Sequence, residues 1–70
     1  INTMASMLEY IKIILHKVSF DRRLFEKELK KAIRMLMPIE VKRLKEWCFQ
    51  NYNSLHPNVL HSCFPNGVVP

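Results

Sequence analysis

Glycine is nearly missing from this chain: Gly67 is the only one in 70 residues. Glycine-rich loops that cradle phosphates or shape an oxyanion pocket are therefore excluded, and the connections between elements have to be made at ordinary φ. Cysteine is scarce as well. Cys48 and Cys63 allow one bridge at most, far fewer than small secreted domains use, so free buried thiols in a reducing compartment are expected. No run of about 20 apolar residues could span a bilayer. The stretch Tyr10–Leu15 is short, is interrupted by Lys12 and lacks a small-residue cleavage site, so the expected location is cytoplasmic. The last shortage is of charge. Every Lys, Arg, Asp and Glu lies between Glu9 and Glu46, and Trp47 to Pro70 carry none.

What is present is a small chain with 49% hydrophobic residues and a charge-free end. A chain of this length forms one domain at most and sits near the lower limit for a self-sufficient core. With no dense disulfide framework, oligomerisation is the natural route to stability, and a homo-oligomer, foremost a dimer, is expected. Eleven basic side chains against six acidic ones give a net charge of +5, which suits a polyanion, an anionic membrane surface or an acidic protein as partner. Residue 1 is Ile, and Met4-Ala5-Ser6 ahead of Met7 reads as a leader, with Met7 the natural start; residues 1–6 are given no functional weight.

The periodicity predicts three helices and a tail. Projected at ~100° per residue, Met4, Met7, Leu8, Tyr10, Ile11, Ile14, Leu15 and Val18 share one broad face, with Ile13 alone on the polar side. A break at 18–21 follows. Asp21 has the chemistry of an N-cap, and Phe20 and Phe25 stand at the two positions of a hydrophobic staple. Helix 2, from about Arg22 to Leu36, puts Leu24, Phe25, Leu29, Ala32, Ile33, Met35 and Leu36 in one half, with Glu28 the one polar intruder. Pro38 ends that helix and suits the first position of the next, with Glu40 favoured in its first turn. Helix 3 runs to about Ser54 on a stripe of Val41, Leu44, Cys48, Tyr52 and Leu55. Beyond Pro57, Val59, Leu60, Cys63 and Phe64 suit a short helical turn or a strand-like clip, and Pro65-Asn66-Gly67 is a turn signal. The expected fold is all-α: a small three-helix bundle, orthogonal or up-down, over 7–56, closed by an apolar C-terminal tail over 57–70.

Two sets of residues are candidates for function. Arg23, Lys27, Lys30 and Arg34 form a basic row along about 17 Å of helix 2, with Lys31 beside it, matching the needs of phosphate binding. Solvated faces of this kind are common, so the favoured reading of the row is a charge that keeps a sticky protein soluble. Tyr10, Ile13, Trp47, Phe49, Tyr52 and Phe64 are the candidate interface, because large apolar groups without charged neighbours belong in a core or against a partner.

Other chemistries find little support. Helices 2 and 3 could be taken for a helix-turn-helix, but Pro38, Ile39 and Glu40 are poor residues to face DNA bases. His56, His61 and Cys63, with Cys48, have spacings that match no familiar zinc pattern. Cys63 and His61 lack an oxyanion loop and an orienting third group, and the six carboxylates fall on solvated helix faces. No catalytic residue, metal, cofactor or small-molecule substrate is inferred. The expected function is a non-catalytic, self-associating protein-interaction module. The alternative is a nucleic-acid binder using the basic face of helix 2. A peripheral membrane binder is the weakest reading, since the apolar half of that helix is needed for the core.

Overall fold

The structure, a computed structural model, describes residues 6–65. Four α-helices and no strand are found among them: α1 (Met7–Lys17), α2 (Arg22–Met35), α3 (Pro38–Tyr52) and α4 (Pro57–Cys63). The backbone divides into two compact units, Ile1–Leu36 and Met37–Pro70. Met4 and the Asn66-Gly67 part of the expected turn lie outside the described residues.

In the first unit α1 packs on α2. Ser6 opens α1 as its N-cap, its hydroxyl accepting the Glu9 N–H at 3.1 Å. Leu8, Ile11 and Leu15 are buried, and they lie within about 60° of one another on the helix. The helix stops after Lys17, where the Val18 N–H still reaches the Ile14 carbonyl and the Ser19 hydroxyl donates to the His16 carbonyl at 2.9 Å. Asp21 caps α2 with one carboxylate oxygen, which accepts the N–H groups of Arg23 and Leu24 at 2.9 and 3.1 Å. The buried line of α2 is Phe25, Leu29, Ala32 and Leu36. Leu36 and Met37, just before Pro38, are extended at ψ of 156°, which ends the helix.

The second unit is a pair of helices, each opened by a proline. Pro38 starts α3, and the Glu40 carboxylate reaches back to accept the Met37 N–H at 3.1 Å. Leu44, Cys48 and Tyr52 are buried on α3. The chain then turns over 53–56 without a positive φ anywhere among the described residues, as the near-absence of glycine requires. Pro57 opens α4, which packs on α3 and buries Val59 and Leu60, with Phe64 buried just after it.

Three expectations change. The apolar segment after Pro57 was expected as a tail, and over 57–63 it is a fourth helix; Pro57 supplies the fixed φ that Pro38 supplies to α3. Leu55 leaves the buried stripe of helix 3 and is exposed, because α3 ends at Tyr52. The staple does not form: Phe25 is fully buried while Phe20 is 80% exposed.

Candidate interaction surfaces

Helical geometry alone decides which apolar residues of the first unit are spare. On α1 the buried line runs through Leu8, Ile11 and Leu15, and Tyr10 and Ile13 fall well over 90° away from it. They are 56% and 52% exposed. Met7 and Ile14 lie between the buried line and Tyr10, so they are only partly covered. On α2, Met35 is about 90° from the buried line and is 53% exposed.

Of these, Met7, Tyr10, Ile14 and Met35 line a groove between α1 and α2 of about 220 Å³. Its covered part is formed by Ile11, Leu15 and Ala32, and its open walls by Met7, Tyr10 and Ile14 on one side and Met35 on the other. Glu28 and Lys31 stand on the α2 wall and pair with each other at 3.5 Å. This pair accounts for Glu28, the one polar residue in the apolar half of α2. Groove volumes that enclose a drug-sized ligand begin at about 300 Å³, so this one is suited to receiving side chains rather than a cofactor.

The basic candidates all lie on α2 and all are exposed. Arg23, Lys27, Lys30 and Arg34 form a ridge within about 60° of arc, opposite the buried line, and Lys31 lies off to the side of the groove. Lys30 pairs with Glu26 at 3.1 Å and Lys31 with Glu28. Both pairs are largely solvated and contribute well under about 1 kcal/mol. Arg23, Lys27 and Arg34 have no ion-pair partner among the described residues. The first unit holds eight of the eleven cations and four of the six acids, so the excess charge of the chain is concentrated there.

The aromatic candidates of the second unit are used within it. Phe49 on α3 meets Phe64 with centroids 6.2 Å apart and His61 at 5.5 Å. Trp47 meets Tyr52 edge-on at 5.4 Å. These tilted and edge geometries are the favoured ones for aromatic pairs. Tyr52 and Phe64 are buried by the chain itself, and Trp47 and Phe49 are half-buried. Of the six interface candidates, Tyr10 and Ile13 are thus the ones most open to a partner. The uncharged C-terminal stretch contributes Val59, Leu60 and Phe64 to the buried set.

Cys48 is a buried thiol and Cys63 a half-buried one, neither in a disulfide among the described residues. Among the described residues no group of three or more His, Cys, Asp and Glu is placed to hold a metal ion. No helix there is long and apolar enough to cross a membrane.

Sequence reasoning missed the exposure of Phe20 and the groove that Met7 and Met35 help to wall. A signal existed for Met35, since it lies at the edge of the α2 apolar half; for Phe20 the staple pattern pointed the other way. Comparison with protein-family models, curated proteins and solved structures finds no match, so the functional reading is built from this geometry.

Proposed function

We propose that the chain is a non-catalytic protein-interaction module that self-associates, as a dimer, through the open flank of α1. The observation that carries this reading is the exposure of Tyr10 and Ile13 beside the partly open groove walled by Met7, Ile14 and Met35. Single exposed apolar side chains are ordinary, but neighbouring ones around a groove mark a surface that associates. Tyr10 and Ile13 are three residues apart, which gives a two-residue ridge able to enter the same groove of a second copy about a two-fold axis.

Charge favours a second copy at this flank over one at α2. Glu9 and Lys12 on the outer side of α1 pair with each other at 3.2 Å, so two α1 flanks can approach without strong repulsion. Lys17, at the end of the flank, can lay its aliphatic stem along the contact and keep its ammonium in water. Two α2 ridges would bring like charges together.

The test is the double variant Tyr10→Glu/Ile13→Glu. Both positions are exposed, so the helices should form as before while association is lost. Equal association of the parent and this variant would overturn the reading.

A second reading has its own observation. Arg23, Lys27 and Arg34 are exposed, without ion-pair partners among the described residues, and aligned on one side of α2. That arrangement supports phosphate contacts to a nucleic acid, whose affinity would fall steeply with salt. It does not conflict with self-association, because the ridge and the α1 flank are different surfaces.

A further inference from the structure

Phe20, 80% exposed, is the most exposed of the large apolar side chains among the described residues. It stands three residues before Arg23, in the turn that leads into α2, with the Asp21 carboxylate capping the helix between them. From Arg23 the cations follow at Lys27, Lys30 and Arg34, in steps of about 6, 4.5 and 6 Å along the helix. An exposed aromatic ring at the end of a line of cations has the two parts that recognise unpaired nucleotides without regard to sequence: a stacking platform and an electrostatic track.

We infer that α2 binds single-stranded nucleic acid, with the ridge holding successive phosphates and the Phe20 ring stacked on one base. The inference rests on the phosphate-binding reading above and specifies its ligand. Lys30 joins the track by exchanging Glu26 for a phosphate, a weak and solvated pair being easily given up.

Three features favour a single strand over other partners. In a duplex the bases are stacked on one another, and a phenyl ring has no hydrogen bond to offer their edges. An anionic bilayer would require apolar residues on the same side as the cations, and α2 has its apolar line buried on the opposite side. A second copy on the ridge itself is disfavoured, because Arg23, Lys27, Lys30 and Arg34 would face like charges.

The experiment titrates the full chain into a fluorescein-labelled oligothymidylate, a mixed-sequence duplex and phosphatidylglycerol vesicles, at several salt concentrations. Variants are Phe20→Leu, Phe20→Trp and the triple Arg23→Ala/Lys27→Ala/Arg34→Ala, each checked for helix content. The triple variant should lower the salt slope on the single strand by about two units, at about 0.7 per phosphate contact. Phe20→Leu should weaken single-strand binding about fivefold or more with the slope unchanged, because leucine is apolar but cannot stack, and Phe20→Trp should restore it. If the triple variant loses binding while Phe20→Leu matches the parent, the stacking inference falls and the phosphate reading stands. If the triple variant also matches the parent, both fall. Equal losses on duplex and single strand with Phe20→Leu overturn the inference, as does preferential vesicle binding that leucine preserves.

Discussion

Replacing Leu29 by alanine tests the register of α2, on which both the groove and the ridge depend. Leu29 is fully buried, whereas Ile33, one turn on, is half-buried. The difference follows from the line Phe25–Leu29–Ala32–Leu36, from which Ile33 is offset by about 70°. Truncation of a fully buried leucine costs about 2.7–5 kcal/mol, from lost burial plus the cavity left behind. A half-covered isoleucine that can relax toward solvent should cost roughly half of that or less. Domains of this size rarely hold more than about 3–5 kcal/mol in total, so Leu29→Ala should leave the chain largely unfolded at room temperature. In a thermal melt followed by far-UV circular dichroism, about 3 kcal/mol corresponds to a fall in Tm of roughly 12–24 °C. Ile33→Ala should instead keep a cooperative transition with an unchanged urea m-value. All samples need the same protein concentration, because association adds to apparent stability. An Ile33→Ala loss equal to or larger than that of Leu29→Ala would refute the register.

Other outcomes follow from the same geometry. Asp21→Ala removes the acceptor of two N–H groups and should cost about 1 kcal/mol in a urea titration, with Asp21→Asn nearly neutral. The triple Arg23→Ala/Lys27→Ala/Arg34→Ala variant should melt at or slightly above the parent at low salt, since Arg23 and Lys27 are like charges one turn apart. Phe64→Ala should cost about 3–5 kcal/mol and expose Phe49, visible as increased binding of an apolar dye.

Much of this fold was legible because it is written in local chemistry. Asp21, Pro38 and Glu40 act at the N-termini where their side-chain chemistry places them, and α2 begins at the expected Arg22. Of Leu29, Ile33, Leu44 and Cys48, the four residues expected at the centres of their apolar stripes, Leu29, Leu44 and Cys48 are fully buried and Ile33 is only half-buried. The basic ridge also follows directly from spacing. What was not legible depends on which of several apolar neighbours a packed helix covers. Ile33, Met35 and Leu24 belong to the same apolar half as Leu29, yet the angle at which α2 is covered leaves them partly open. Phe20 obeys the staple pattern and still stands in solvent, since a pattern specifies positions and not contacts. For the segment after Pro57, a helix of about two turns buries Val59 and Leu60 and brings Phe64, just after it, into the core, an outcome the sequence left open between helical turn and clip. Of the interface candidates, Tyr52 and Phe64 were chosen for being large and apolar, a property that core and partner contacts share.

The most direct test of the central proposal is the mass of the parent chain in solution by sedimentation equilibrium, from micromolar to millimolar concentration. Self-association through the α1 flank predicts a rise with concentration toward twice the chain mass of 8.4 kDa, and no such rise in the Tyr10→Glu/Ile13→Glu variant. A single species at the chain mass across the whole range would contradict it.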